Sequence, residues 1–393
     1  MQLKYLYQTI YSLHDPIHVG RFQKLFGLEI IHDDDQDDDR NRKSSFHSSI
    51  PSTNQQPKQK KYLIRNYLWY YLFSFGARLG YEVFYALSFS YLYWNLDSFI
   101  CRQLMLIWAI LMYTGQALKE IFRIPRPSGP NILILEPEYS FEYGMPSTHA
   151  MLAAMVPLTL YSLLNNRYEI ISPLLFIFCS ICWCTLICCS RLYLGMHSVL
   201  DILVGLSLTC ILLAFVLPIL SITDQFLIHN SFTPLIITAI LIISSLLYPV
   251  SNKQSPSRGD TISIISASGG VYIGSWINYQ LAIIRDHSSH SNELYQILLP
   301  SLNDMPFIIG RFVIGLLTLF ALRSLGKLFA KWAIRFFTGL KDLNNEQTKH
   351  LTVVEVPMKM IPFLMIGLAI SFFGPLMARI AHIERHSMMF EAS

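Results

Sequence analysis

The sequence predicts an all-α protein that crosses a membrane about nine times. Hydrophobic residues make up 52% of the 393 residues and charged residues only 14%, so the chain is far more apolar than an average soluble domain. Apolar stretches long enough to cross about 30 Å of hydrocarbon also recur along the chain between short polar loops. We therefore expect a polytopic transmembrane helical protein in which a core helical bundle carries the functional site.

The predicted spans follow one another through the last four-fifths of the chain. They are 79–96, 104–118, 150–164, 170–189, 198–220, 232–250, 261–283, 307–322 and 361–378. The seventh is rich in Ser and Gly, and the eighth contains Arg311. No internal repeat is visible, and the spans do not fall into two matching halves.

Residues 1–65 differ in composition from the rest. An aspartate-rich run at 33–39 is followed by basic residues and a Ser/Gln/Pro-rich stretch, which predicts disorder. The run lacks the turn glycine and the closing glutamate of a calcium loop. We therefore divide the chain into a disordered, charged N-terminal region (1–65), the core of the membrane domain with spans one to five (66–222), and the remaining helices with the C-terminus (223–393).

The charge pattern indicates lipid as the partner. The formal net charge is only +4, and the basic residues lie in loops rather than on one dense surface, so we expect no nucleic-acid binding. Lys58, Lys60 and Lys61 precede the first span and either contact anionic headgroups or form a solvated flank. Five of the seven cysteines lie at 179–189 in an apolar stretch, where we interpret them as small buried hydrophobic residues rather than as a metal or disulfide site.

Three polar motifs flank these spans. The first consists of Lys119, at the end of the second span, and Arg126, which lies between two prolines. Because these prolines exclude helix and extend the backbone, the two cations can converge on one anion. Taken alone, such residues at a helix end commonly do no more than reach the lipid headgroups.

The second motif is Pro146-Ser147-Thr148-His149, at the start of the third span. Proline and hydroxyl residues in this order are typical of a helix N-terminus, which places His149 at the rim of a pocket. There it can act as a general acid that protonates a leaving alkoxide. An isolated interfacial histidine is more commonly a polar anchor.

The third motif is Ser190-Arg191 followed by His197 and Asp201. The histidine and the aspartate are four residues apart at a helix start, so they lie on one face, a turn apart. A carboxylate there can accept the Nδ1 proton and leave Nε2 free as a nucleophile. Arg191 can hold two phosphate oxygens at once. The alternative is an interfacial pair that only caps the helix.

The three motifs are expected at one membrane face. The first and second share a loop, and spans three and four form a hairpin that returns the chain to the same side at Ser190. Together they supply a nucleophile with its orienting carboxylate, a general acid and three cations. These groups can transfer a phosphoryl group without a metal or another cofactor.

The motifs resemble those of the type 2 phosphatidic acid phosphatase superfamily. The resemblance implies that His197 accepts the phosphoryl group, that His149 is the acid and that Asp201 orients the nucleophile. It also implies phosphate-binding roles for Lys119, Arg126, Ser147 and Arg191. Thr148 stands where most members have glycine. A glycine there would let the backbone approach phosphate closely, so Thr148 is expected to alter that contact.

A narrower resemblance covers about residues 79–220. The strings YWNLD at 93–97, MPSTHAM at 145–151 and SRLYLGMHS at 190–198 are similar to those of sphingosine 1-phosphate phosphatases, including the threonine in the second motif. The LHDP string at 13–16 and the number of spans also fit. This resemblance implies metal-independent hydrolysis of long-chain-base phosphates, through a phosphohistidine intermediate, by a multi-pass protein of the endoplasmic reticulum membrane.

Several alternatives remain open. Glucose 6-phosphatase and general lipid or dolichyl phosphatases have motifs of the same kind and are alternatives within the superfamily. An inactive lipid-binding membrane scaffold is an alternative of another class, although such a relative would be expected to have lost His149, His197 or Asp201. A transporter would be expected to have broken helices in two matching halves, which are not visible here. A vanadate haloperoxidase would be expected to have the polar composition of a soluble protein, which this chain lacks.

Two further points follow from charge. Glu82 and Arg311 lie within predicted spans, where ionisable groups tend to be paired or functional. For Glu82 we expect either a contact with a substrate ammonium or a buried pair with Arg78, another helix or water. The basic loops place the catalytic face in the cytosol by the positive-inside tendency, whereas the family resemblance implies the lumen.

Overall fold

The structure is a computed structural model that describes residues 12–31, 61–139, 141–169, 172–249, 256–285, 301–340, 342, 348 and 351–385. Helices dominate these ranges. The strands among them form one two-stranded antiparallel sheet, in which β1 (Leu28–Ile30) pairs with β2 (Tyr62–Ile64). The predicted all-α class is therefore confirmed.

Twelve α-helices lie within the described ranges. They are α1 (Pro16–Leu25), α2 (Tyr67–Arg78), α3 (Glu82–Tyr91), α4 (Ser98–Phe122), α5 (Thr148–Asn165), α6 (Pro173–Tyr193), α7 (Val199–His229), α8 (Thr233–Leu247), α9 (Ser257–Gln280), α10 (Met305–Thr338), α11 (Thr352–Leu368) and α12 (Gly374–Ile380). A π-helical turn, Leu92–Leu96, extends α3, and another, Ala369–Phe373, joins α11 to α12.

Within the part of the chain that the structure describes, five helical segments are long and apolar enough to cross a membrane. They are Ser98–Phe122, Pro173–Tyr193, Val199–His229, Leu302–Thr338 and Thr352–Ile380. By contrast, α9 is rich in Ser and Gly, and most of its residues are buried against other helices. It therefore does not need the apolar surface of a helix that faces lipid. The multi-pass character is confirmed, whereas the number of nine spans stays a prediction.

The core of the bundle lies between α3, α4, α5, α7, α9 and α11. Along α9 and α11 the two backbones touch, because a Cβ added to Gly270 would lie 2.2 Å from the carbonyl oxygen of Leu364. Small residues permit this close packing between membrane helices. The result is a tight wall on one side of the bundle centre.

The segment before the first membrane helix is ordered in two stretches. Asp15 caps α1 by accepting from the N–H of Ile17 at 2.8 Å, and the buried amide of Gln23 donates to the carbonyls of Leu133 and Tyr193 at 2.7 and 2.9 Å. Disorder across 1–65 is therefore wrong for 12–31 and 61–65, because these contacts tie the segment to the bundle. The aspartate-rich run and Lys58 and Lys60 lie outside the described residues.

Two other predictions need correction. The boundary placed after residue 222 falls inside α7, which runs unbroken from Val199 to His229, so it does not separate two units. Cys179 and Cys182 are exposed on the outer face of α6 rather than buried, since this helix packs with only its other side against the bundle. Their thiols are free.

Candidate active site

The three motifs meet at one cavity of about 370 Å³. The last turn of α4, the following loop, the first turn of α5, the last turn of α6 and the loop before α7 each bring one side chain to its wall. These side chains are Lys119, Arg126, His149, Arg191 and His197. Ser147 and Asp201, the other two predicted site residues, are fully buried just behind the wall.

A capping box at the start of α7 fixes Asp201. Its carboxylate accepts from the backbone N–H of Ser198 at 2.7 Å, and its own N–H donates to the Ser198 hydroxyl at 3.2 Å. Asp201 therefore caps the helix, as the alternative interpretation expected, and its Oδ2 also faces the His197 ring. The Nδ1 of His197 lies 3.7 Å from this oxygen, which is longer than a hydrogen bond.

The other ring nitrogen of His197 has a cationic neighbour. Nη1 of Arg126 lies 3.2 Å from His197 Nε2 and also donates to the carbonyl of Met196 at 2.9 Å. Burial, followed by the charges of Arg126, Lys119 and Arg191, lowers the pKa of His197 well below its usual value. The ring is therefore neutral at neutral pH, as a nucleophile must be.

His149 lies in the first turn of α5 and faces the same cavity. Its Nε2 is buried and has no hydrogen-bond partner among the described residues. The ring meets Tyr81 edge-on, with 6.0 Å between the centroids. On its other side is the backbone of Gly80, where an added Cβ would lie 2.2 Å from His149 Cδ2. The ring is held in a narrow slot with a free nitrogen.

Lys119 and Arg126 converge on one anion, the carboxylate of Glu142. Lys119 Nζ lies 3.5 Å and Arg126 Nη2 3.3 Å from the same oxygen, Oε2. Lys119 also donates to the hydroxyl of Thr148 at 3.2 Å. Two cations that hold one carboxylate oxygen can hold a phosphate oxygen in the same way.

Arg191 is held by a second carboxylate. Its Nη1 lies 3.4 Å from Glu136 Oε2, and the same glutamate accepts from the Tyr81 hydroxyl. The guanidinium lies 5.9 Å from the centroid of the Tyr81 ring. Its Nη2 is buried and has no hydrogen-bond partner within the described part of the chain. That donor is available to an anion in the cavity.

Ser147 takes a different position from the one expected of a phosphate ligand. Its hydroxyl accepts from the N–H of Ala150 at 3.4 Å and so caps α5. Its N–H donates to the carbonyl of Asp201 at 3.1 Å, which joins the second motif to the third. The phosphate-binding role implied for Ser147 stays a prediction.

The cavity continues from its charged end into the apolar bundle. The lining of this inner part comes from α3, α4, α5 and α9. It consists mainly of Tyr85, Trp108, Met112, Leu152 and Ile264. A charged end joined to an apolar slot suits a molecule with a phosphate at one end and a hydrocarbon chain at the other.

The two ionisable residues within predicted spans have different surroundings. Glu82 is the first residue of α3 and lines the cavity together with Asp260, so its contact with a substrate ammonium stays a prediction. Arg311 lies away from the site, where it donates to the side-chain oxygen of Asn95 at 2.9 Å and to the carbonyl of Ile383 at 3.3 Å. Arg311 is therefore a paired residue.

Sequence reasoning missed four side chains around the site. His14 Nδ1 lies 3.1 Å from the Ser198 hydroxyl and 3.9 Å from Asp201 Oδ1, and Tyr81, Glu136 and Glu142 contact the cations or His149. The signal for the glutamates was acidic residues in the loop between two basic motifs. For His14 the signal was the LHDP string within a region of otherwise low complexity. Within the described ranges, no group of three or more His, Cys, Asp or Glu side chains is placed to hold a metal ion.

Residues 101–223, which supply all three motifs, match the PAP2 superfamily. Sphingosine-1-phosphate phosphatase 2 of Mus musculus is 35% identical over 377 residues, which cover 95% of this chain and 98% of the relative. The Homo sapiens protein of that name is 34% identical, with 81% and 80% of the two chains covered. Sphingosine-1-phosphate phosphatase 1 of Rattus norvegicus is 37% identical, with 78% and 71% covered.

The chain belongs to the PAP2 superfamily and, within it, to the sphingosine-1-phosphate phosphatase family. The resemblance predicted from the motifs is therefore confirmed, and it extends well beyond residues 79–220. No solved structure matches the chain.

Proposed function

We propose that this protein is a phosphomonoesterase that removes phosphate from sphingosine 1-phosphate and related long-chain-base phosphates. The observation that carries this proposal is the neutral His197 and the unpartnered His149 on one cavity wall, with three cations beside them and an apolar slot behind. The names of its relatives supply the substrate class. The chemistry proceeds in two steps.

In the first step His197 Nε2 attacks phosphorus and the bond between phosphorus and the ester oxygen breaks. His149, whose protonated form is favoured by the negative charge of the bound phosphate, gives its proton to the departing alcohol oxygen, a transfer typically worth about a hundred- to ten-thousand-fold in rate. Lys119, Arg126 and Arg191 stabilise the charge on the equatorial oxygens. A long-chain base leaves, and the phosphoryl group remains on His197 as a phosphohistidine.

In the second step a water molecule replaces the alcohol. His149, now unprotonated, takes a proton from this water, whose oxygen attacks the phosphohistidine. The bond between phosphorus and nitrogen breaks, and the electron pair returns to Nε2 of His197. Inorganic phosphate leaves, and both histidines recover their starting protonation states.

Phosphate binding competes with the glutamates of the site. Since Lys119 and Arg126 share one oxygen of Glu142, a phosphate oxygen in that place must displace the carboxylate. Glu136 contacts Arg191, so a phosphate oxygen bound to Arg191 must likewise displace the Glu136 carboxylate. The carboxylates stabilise the closely spaced cations, and the dianionic phosphate offers them a larger charge.

The most direct test measures phosphate release from the purified full-length protein in the presence of a chelator. Sphingosine 1-phosphate, phosphatidic acid and glucose 6-phosphate are compared at equal concentration, and sphingosine 1-phosphate is expected to give the highest kcat/KM. The chelator is expected to leave the rate unchanged, because side-chain cations carry the charge on phosphate. A preference for one of the other substrates would reassign the enzyme within the superfamily.

A second measurement tests the nucleophile. His197→Asn is expected to abolish turnover and also the acid-labile, alkali-stable phosphoprotein seen when labelled substrate is quenched in base. The matched control is His229→Asn at the other end of α7, where the ring contacts Gln225 and Tyr279 and turnover should persist. Full activity of His197→Asn would rule out the mechanism.

We also propose that the protein resides in the endoplasmic reticulum membrane, as the family resemblance implies. Fluorescence of the tagged full-length chain tests the compartment. Protease protection of a tag placed after Gly129, in the loop that carries the first motif, then decides whether the catalytic face is luminal or cytosolic. A tag found at the plasma membrane would contradict the proposed location.

A further inference from the structure

Apart from atoms of the catalytic residues and the deeper indole nitrogen of Trp108, two buried polar atoms on the cavity wall have no hydrogen-bond partner among the described residues. They are the side-chain amide oxygen of Gln116 and the hydroxyl of Tyr85. The residues are only 6% and 1% exposed, so neither atom is well solvated. Buried polar groups are nearly always satisfied in folded proteins, and an exception on a cavity wall indicates a group that a ligand satisfies. None of the catalytic steps uses either atom.

Each side chain lies three residues along its helix from a charged residue of the cavity wall. Gln116 precedes Lys119 by three residues on α4, and Tyr85 follows Glu82, the first residue of α3, by three residues. Each is therefore about 4.5 Å further into the bundle than the charged end. Beyond them the wall becomes apolar, with Met112 and Leu152. The two polar atoms form a band between the phosphate site and the hydrocarbon slot.

A long-chain-base phosphate has polar groups at the matching place. Its phosphate is on C1, an ammonium is on C2 and a hydroxyl is on C3, and the hydrocarbon chain follows. With phosphorus next to His197, C2 and C3 enter the cavity at the depth of the polar band. An ammonium requires acceptors, and the orphan atom of Gln116 is an acceptor oxygen. A hydroxyl can both donate to and accept from the Tyr85 hydroxyl.

We propose that Gln116 and Tyr85 form the subsite that recognises the amino alcohol head of the substrate. Gln116 accepts a hydrogen bond from the C2 ammonium, and Tyr85 exchanges one with the C3 hydroxyl. The carboxyl group of Glu82 also lines this cavity and can accept a hydrogen bond from the ammonium. This inference rests on the proposed function, since it names the residues that select among lipid phosphates.

The same subsite predicts discrimination against glycerol-based lipid phosphates. In phosphatidic acid C2 and C3 carry ester oxygens, which accept hydrogen bonds and donate none. The amide oxygen of Gln116 would stay unpaired beside such a ligand, and an unpaired buried group discriminates strongly against the wrong substrate.

The test compares sphingosine 1-phosphate with octadecyl phosphate, which has one chain of similar length but neither the ammonium nor the hydroxyl. Gln116→Met keeps the side-chain size and removes the acceptor, and Tyr85→Phe removes one oxygen. We expect kcat/KM for sphingosine 1-phosphate to fall by about ten- to a hundredfold in each variant, the usual effect of losing one hydrogen bond to a charged or buried group. For octadecyl phosphate it should change less than about threefold.

Matched controls come from the same elements. Gln103→Met changes a buried glutamine of α4, and Tyr93→Phe a buried tyrosine that contacts Ser275; neither residue lines the cavity. Both controls should keep the wild-type ratio of the two substrates. If Gln116→Met does not fold, Tyr85→Phe decides alone, because it preserves the packed ring.

The outcomes separate the subsite from the proposed function. A substrate ratio that stays at the wild-type value in Gln116→Met and Tyr85→Phe overturns the subsite. So does a wild-type enzyme that hydrolyses octadecyl phosphate as well as sphingosine 1-phosphate, although the phosphatase function then stands. A wild-type enzyme that hydrolyses neither lipid overturns the proposed function itself, together with the subsite.

Discussion

Arg126 Nη1 lies 3.2 Å from His197 Nε2. A guanidinium can only donate, so Nε2 is the acceptor and the ring proton resides on Nδ1, on the side of Asp201. One arginine therefore selects the tautomer of the proposed nucleophile and, through its second nitrogen, faces the site for phosphate. Asp201 contributes through its place in the capping box rather than through a short hydrogen bond to the ring.

This contact predicts a pH effect. Burial and, next to it, the positive charge of Arg126 lower the pKa of His197, so the ring stays neutral as the pH falls below about 6.5, the usual value. Arg126→Gln removes the charge and lets the pKa rise. The acidic limb of kcat/KM, which reports the free enzyme, is then expected to move to higher pH, together with a lower maximum.

The comparison for this prediction is Arg123→Gln, which changes a neighbouring arginine whose Nε donates to the carbonyl of Glu120. Its acidic limb should coincide with that of the wild type. Titration of the substrate phosphate, near pH about 6, is common to all three enzymes and cancels. An acidic limb that stays in place or moves to lower pH in Arg126→Gln would disprove the electrostatic role.

Gly80 is predicted to control the position of the general acid. In Gly80→Ala the new Cβ would lie 2.2 Å from Cδ2 and 3.0 Å from Nε2 of His149, so the ring must move. A displacement of about 1 Å at a reacting group can cost about a hundredfold, and we expect such a fall in kcat with little change in KM. Gly129→Ala, with open space around its Cβ, should be neutral. Equal kcat values for the two variants would show that the position of the His149 ring beside Gly80 is not required for catalysis.

Glu142 is predicted to weaken phosphate binding. Glu142→Gln removes the negative charge that contacts Lys119 and Arg126 and leaves both cations in place. Inhibition by inorganic phosphate is expected to strengthen by about threefold to thirtyfold, and the measurement is the inhibition constant at fixed pH. Glu29→Gln in β1, where the partner of Glu29 is Arg65, serves as control. Weaker inhibition in Glu142→Gln would mean that the carboxylate organises the site more than it competes.

The sequence was sufficient for the three motifs because their residues sit at helix ends. Pro125 and Pro127 restrict the backbone on both sides of Arg126. The capping pattern at Ser198 marks a helix start, which fixes the position of Asp201 in the first turn. The places of these two residues can therefore be interpreted without a structure. The short connections from α5 to α6 and from α6 to α7 then return the chain to the same end of the bundle. This is why five of the seven predicted side chains line one cavity.

Other features depend on contacts between distant parts of the chain. His14 reaches Ser198 across 184 residues, and Gly80 approaches His149 only because α3 begins beside α5. Neither residue is part of a periodic pattern or of the three motifs at the helix ends, so the sequence does not show that it lies at the site. The Ser- and Gly-rich composition of α9 likewise depends on distant contacts, since a helix surrounded by other helices does not need a lipid-facing apolar surface.

One such distant contact lies away from the cavity and holds three helices together. Arg102 at the start of α4 donates from Nε and Nη2 to the two oxygens of Asp224 on α7, both at 2.7 Å. Tyr272 on α9 donates to the same carboxylate at 2.8 Å. Both members of the ion pair are 0% exposed. The pair is bidentate and fully desolvated, the geometry in which each charge depends on the other.

Removing one partner is therefore predicted to be far more harmful than removing both. Arg102→Leu leaves the Asp224 charge buried and should lower the free energy of unfolding by about 3–5 kcal/mol, whereas Arg102→Leu with Asp224→Leu should recover most of that loss. Thermal unfolding of the detergent-purified variants measures both effects. Arg65→Leu, which breaks the exposed pair with Glu29, should cost about 0–1 kcal/mol. If the double variant is no more stable than Arg102→Leu, the loss comes from packing of the arginine stem rather than from the unpaired carboxylate.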